Sequence, residues 1–272
     1  MILRTMLLIP GVLCVLGCTR AGDAPRPSGA AASRAFGMNG FSWRVIEVPE
    51  ARLNLYIQRT DGDDDVQQIV DSAKRAQADV LSLLAESKSG GQTSSLFFVR
   101  SRSDMQRISG RPIAGFVQPG EPTAFFVWSR GYRAPVRHEL AHLYTFDRWG
   151  RPPGGDSATW LVEGIGALAG GSCQGKSADA LAAGLLARDR LPSVADLVQR
   201  FREIPEDAGL PAAGSLTEFL YAKEGIHGLR ARWQSPSGAM LPDSASESAW
   251  RAHVKSVLPA ELDIARVMRE GC

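Results

Sequence analysis

His138-Glu139-Leu140-Ala141-His142 is the stretch on which the rest of the chain turns. A helix advances by about 100° per residue, so two histidines four apart return to one face, one turn on. Two neutral imidazoles placed in this way can grip a single zinc ion, and Glu139 projects beside them, where it can act on a water molecule. Leu140 and Ala141 supply the apolar side that seats such a helix in a core. The alternative is an ordinary helix whose histidines only make hydrogen bonds. With four histidines in the whole chain, the pentad is rarely met by accident.

A catalytic zinc needs a third protein ligand and an open fourth position. The extended pattern H-E-x-x-H-x-x-G-x-x-H would need Gly at 145 and His at 148, but Thr145 and Arg148 stand there. Downstream lies Trp160-Leu161-Val162-Glu163-Gly164-Ile165-Gly166-Ala167, helical in pattern, with Asp156 or Ser157 as its cap and Gly170-Gly171 as its end. Glu163 is the candidate third ligand; otherwise it is a solvated helix carboxylate.

Outward from these motifs the pattern predicts an α+β protein. Leu53, Leu55 and Ile57 alternate with polar residues as a half-buried strand would. Val66 to Leu84 has the spacing of one long amphipathic helix, after a turn and acidic helix start at Asp61 to Asp65. Leu96 to Val99 and Thr123 to Trp128 are short runs rich in Phe and Val, with Ile113 to Val117 a weaker one between. From residue 131 the pattern is helical, over Val136–Phe146, Ala158–Ala169, Ala178–Arg188, Val194–Arg202, Ser215–Glu224 and Ser246–Val257. This divides the folded part into a sheet-and-helix lobe at 39–130 and a mostly helical lobe at 131–272, with the site between them. The six tryptophans are scattered and read as core residues.

The N-terminus reads as an export signal over 1–17: Arg4 gives the positive end, and Met6 to Leu16 form an apolar run too short to span a bilayer. Val15-Leu16-Gly17-Cys18 resembles the bacterial lipobox, which implies lipidation of Cys18 and a mature protein anchored in a membrane of the cell envelope, facing the periplasm or the exterior. Residues 18–38, rich in Ala, Gly, Pro, Ser and Arg, read as a flexible tether. Of the four cysteines, Cys173 and Cys272 then remain in an oxidising compartment, either as one disulfide or as two separate thiols. A disulfide closing so long a loop would contribute about 4–5 kcal/mol in the chain-entropy model. A total of 31 basic and 29 acidic residues, with no long run of either sign, leaves no footprint for nucleic acid or another polyanion.

Taken together, His138, Glu139, His142, Trp160, Leu161, Glu163 and Gly164 resemble the gluzincin metallopeptidases, and especially the bacterial peptidase MA-like domains, whose pattern is H-E-x-x-H followed by W-L-x-E-G-x-A. Gly166 stands where that group often has Ala, and Ser215, Phe219, Leu220 and Gly225 match its later helix-then-Gly segment more loosely. The resemblance implies a zincin-like fold and a Zn²⁺ cofactor held by His138, His142 and Glu163. Glu139 would be the catalytic base and acid in hydrolysis of a peptide or protein substrate, and the edge of the sheet near Ile113 to Trp128 would hold that substrate as an added strand. It also implies a Tyr or His that steadies the oxyanion, with Tyr132, Tyr144, Tyr221 and His227 as candidates; His227, between glycines, reads as a loop residue. One departure is Ala167, where thermolysin-like enzymes carry an acidic residue that orients a ligand histidine. The competing expectation is an envelope scaffold or assembly lipoprotein that keeps the fold without turnover.

Overall fold

Alternation along the strands places two kinds of side chain on opposite faces of a five-stranded mixed sheet, and both faces are covered. The computed structural model describes residues 26–60, 65–86, 92–129, 135–173, 175–235 and 244–259. Helix α1 (Ala30–Phe36) precedes strands β1 (Trp43–Val48) and β2 (Leu53–Gln58), helix α2 (Val66–Leu83), strand β3 (Ser94–Val99) and helix α3 (Arg102–Ser109). Strands β4 (Gly115–Val117) and β5 (Thr123–Val127) complete the sheet, in the order β1-β2-β3-β5-β4. The inner pairs β2/β3 and β3/β5 are parallel, and the outer pairs β1/β2 and β5/β4 are antiparallel.

On one face Leu55, Ile57, Leu96, Phe98, Ala124 and Phe126 enter the main core with α2 and the helices that follow. On the other, Tyr56, Phe97, Phe125 and Phe116 stack ring on ring across four strands, with centroids 4.4, 4.9 and 4.5 Å apart in turn. Helix α1 covers that face through the buried Ala31, Ala32 and Ala35, and α3 does so through Met105. This corrects two expectations. Residues 30–36 are part of the packed fold and not of a tether, and β2 is buried on both sides because α1 lies over Tyr56. The acidic side chain of Glu121 holds α1 in place by accepting from the backbone N–H groups of Ala30 (2.9 Å) and Ala31 (3.3 Å) at the helix start.

The second half is helical: α4 (Val136–Trp149), α5 (Thr159–Gly170), a short hairpin β6 (Ser172–Cys173) and β7 (Lys176–Ser177), then α6 (Ala178–Leu186), α7 (Val194–Arg200), α8 (Glu206–Trp233) and α9 (Ser244–Ser256). Helix α5 has no side-chain cap: Ala158 is its N-cap, and Asp156 and Ser157 belong to a 3₁₀ turn that leads into it. Helix α8 begins at Glu206 and runs through Pro211, a residue that in sequence argues for a break. At Gly225, φ 64 and ψ −172 interrupt the helical path, and the chain then resumes as helix, so His227 is an exposed helical residue and not part of a loop. Five tryptophans, at 128, 149, 160, 233 and 250, are buried as expected.

Close approach of α5 and α8 depends on a residue beside the candidate third ligand. A Cβ on Gly164 would stand 2.0 Å from Thr217 Oγ1 and 2.8 Å from the carbonyl oxygen of Ala213. In the same stretch of α8, Ser215 donates a hydrogen bond to Asp179 (2.6 Å), which also pairs with His253 (2.7 Å), and buried Trp250 donates to Ser215 (3.0 Å). Glu218 lies against this cluster with a buried Oε2 that no described group satisfies, and burial, then the nearby charge of Asp179, pushes its carboxyl pKa up. For an acid whose native pKa is raised, the ionised form is the costly one above that pKa, and the cost disappears below the unfolded value. Glu218→Gln is therefore expected to raise stability by about 1 kcal/mol at pH 7.5, a Tm gain of about 2–4 °C, and to change nothing near pH 4. Thermal melts of both proteins at the two pH values check this.

The signal at 1–17, Cys18, the turn at 61–64, Tyr132 and Cys272 lie outside the described residues. Among the described residues no helix is long and apolar enough to cross a membrane.

Candidate metal centre

Helix α4 packs against α5 on one side and against β4 on the other, and the pentad is divided between those two neighbours. On the α5 side, His138 and His142 present their rings edge to face, 4.5 Å between centroids, with the two Nε2 atoms 2.9 Å apart. Glu163 of α5 brings Oε2 to 3.3 Å from His138 Nε2 and 3.7 Å from His142 Nε2. On the β4 side, Glu139 is buried, and a Cβ on Gly115 would stand 2.9 Å from both its Cγ and its Oε1.

Donor spacing tests whether these three side chains fit a metal. Ligand atoms about 2.0–2.2 Å from a tetrahedral zinc lie about 3.3–3.6 Å from one another. The observed triangle of 2.9, 3.3 and 3.7 Å is centred close to that value. Two imidazoles and one carboxylate could thus hold a metal ion, and no other group of three or more His, Cys, Asp or Glu side chains does so among the described residues.

Electrostatics separates the two glutamates. Burial and the neighbouring Glu163 charge raise the Glu139 carboxyl pKa against the opposing pull of the two imidazoles, so this group holds a proton more readily than an ordinary glutamate. Glu163 is half-buried, which alone would raise its pKa, but hydrogen bonds and charge from His138 and His142 outweigh that and keep it well below the usual carboxylate range. For His138, burial favours the neutral ring, but the Glu163 hydrogen bond and the charges of both glutamates win and raise its pKa. A metal competes with that proton, so occupancy falls as pH drops.

Support around the ligands is uneven. The Nδ1 atom of His142 is buried with no hydrogen-bond partner among the described residues, so no described group orients that ring through Nδ1. Close packing takes over part of that role: a Cβ on Gly166 would lie 2.7 Å from His138 Cε1, 2.8 Å from His138 Nε2 and 2.8 Å from His142 Cε1. Neither Gly115 nor Gly166 was singled out as a functional residue by sequence, although a glycine inside a strand pattern, as at 115, does signal close approach of a neighbour.

The three side chains open into a cleft of about 2320 Å³. Strand β4 lines it, and among the described strands β4 pairs only with β5, which leaves its outer edge unpaired. Of the oxyanion candidates, Tyr144, Tyr221 and His227 do not line the cleft. Tyr144 is in the core, where its hydroxyl accepts from Gln77 Nε2 at 2.6 Å. Cys173 sits in the β6–β7 hairpin on the cleft border and is disulfide-bonded.

The chain matches no family model and no curated protein.

Proposed function

We propose that this protein is a zinc-dependent peptide hydrolase of zincin-like fold, anchored at the bacterial cell envelope through Cys18. The observation that carries this is the convergence of His138, His142 and Glu163 on one point, with Glu139 buried next to it but outside the triangle of donors. Two imidazoles and a carboxylate are a donor set that suits zinc. When bound, zinc would supply Lewis-acid polarisation of the scissile carbonyl and acidify water.

This chain's own residues do the remainder. His138, His142 and Glu163 would hold the ion, and all three line the cleft from which substrate would enter. Glu139 takes the proton of the attacking water on its carboxylate and delivers it to the leaving amine nitrogen, a task that its raised pKa favours. Gly115 lets β4 approach close enough for a peptide added along the unpaired edge to pass beside Glu139.

Elemental analysis of the purified protein, paired with digestion of a peptide library before and after chelation, tests the proposal. One zinc per chain and cleavage that stops on chelation and returns with zinc are the expected results. Bound metal with no cleavage of any peptide would favour the envelope scaffold instead.

A further inference from the structure

Charge is nearly balanced over the whole chain, 31 basic residues against 29 acidic, but it is not balanced in space. Eight Arg and Lys side chains line the cleft, against three acidic ones once Glu139 and Glu163 are set aside. Two of those three acids, Asp156 and Asp207, are each held by an arginine at 2.9 Å. By contrast, the exposed side chains of Arg34, Arg75, Arg111 and Lys176 have no hydrogen-bond or ion-pair partner among the described residues. They come from α1, α2, the segment before β4, and β7, so four elements far apart in sequence bring free cations to one opening.

A cleft with walls of one sign concentrates field and raises the local concentration of an oppositely charged ligand. A divalent cation held by His138, His142 and Glu163 would offset the charge of the two site carboxylates and leave this excess standing. Resting on the peptide-hydrolase proposal above, we infer that the cleft selects peptides carrying several Asp or Glu side chains, laid along the edge of β4 with their carboxylates against Arg34, Arg75, Arg111 and Lys176. A peptide is favoured over a nucleic acid because β4 offers backbone N–H and C=O groups that an extended peptide can pair with.

The test uses zinc-loaded Glu139→Gln protein and fluorescein-labelled decapeptides of matched length that are acidic, neutral or basic, with binding read by anisotropy. The acidic peptide is expected to bind about tenfold more tightly than the neutral one, with the gap closing as salt is raised from low to high concentration. In the protein with Glu139 intact, Arg34→Glu/Arg75→Glu/Arg111→Glu is expected to raise KM for an acidic substrate about tenfold while kcat and the KM of a neutral substrate stay within about twofold. The milder Arg75→Gln/Arg111→Gln pair should shift the same KM in the same direction, and zinc content confirms that the site is intact in both variants.

Equal binding of acidic, neutral and basic peptides overturns the inference, as does tighter binding of a single-stranded oligonucleotide of equal charge. Cleavage of neutral and basic peptides as fast as acidic ones also sinks it, while leaving the hydrolase proposal standing. Binding of the acidic peptide without cleavage of any peptide does the reverse.

Discussion

Glu139→Gln is expected to retain zinc and to lose at least about 10²–10⁴-fold in kcat, because the amide can no longer take a proton from water. Its side chain keeps the volume that fits against Gly115, and it stands outside the donor triangle, so neither packing nor metal binding has reason to change. Stability gives an independent check. Burial raises the Glu139 pKa in the metal-free site, so the ionised form is the costly one there at neutral pH, and a neutral amide should leave the Tm of the metal-free protein equal to or above that of the metal-free parent. A variant that cleaves as fast as the parent would remove Glu139 from the mechanism. One that loses zinc would show that its role is to hold the site together.

The second large effect is expected at Gly166. Alanine there is favoured over glycine by about 1 kcal/mol as a helix former, so Gly166→Ala should not weaken α5 as a helix. Its Cβ, however, would come within 2.7–2.8 Å of both imidazole rings and push them apart. Zinc affinity measured by competition with a chelator is expected to fall by about 10–100-fold, with far-UV circular dichroism unchanged. Unaltered affinity would mean that the rings can swing to new positions and that packing by Gly166 does not orient them. The missing side chain at 166 leaves the imidazoles the room they occupy, and His142, whose Nδ1 is unbonded among the described residues, has no hydrogen bond there to resist displacement.

Most strands and helices were legible because their signals are short in range. Helix α2 matches the apolar spacing from Val66, and α4, α5, α6, α7 and α9 lie where Gly and Pro punctuation predicted helices. Misreadings came where a distant element changed the meaning of a local pattern. The Ala-rich run at 30–36 looks unable to bury enough surface, and alone it could not. Small residues suffice once the stacked rings of Tyr56, Phe97 and Phe125 supply the other half of the contact. The helix expected over Ser215–Glu224 starts earlier, at Glu206, and runs through Pro211, where buried neighbours on both sides carry it.

The pairing of His138 with His142 was written in the sequence because a helix fixes the relation of residues four apart without help from the rest of the chain. Glu163 could be nominated from its own motif, but only the packing of α5 against α4 sets its oxygen 3.3 and 3.7 Å from the two rings. Tertiary structure alone decided the tight fit of Gly115 to Glu139, the pressure of Gly166 on the imidazoles, and the gathering of Arg34, Arg75, Arg111 and Lys176 at one opening. Each of these is a distance between atoms remote along the chain, set by how helices and sheet pack and not by any periodicity within a segment.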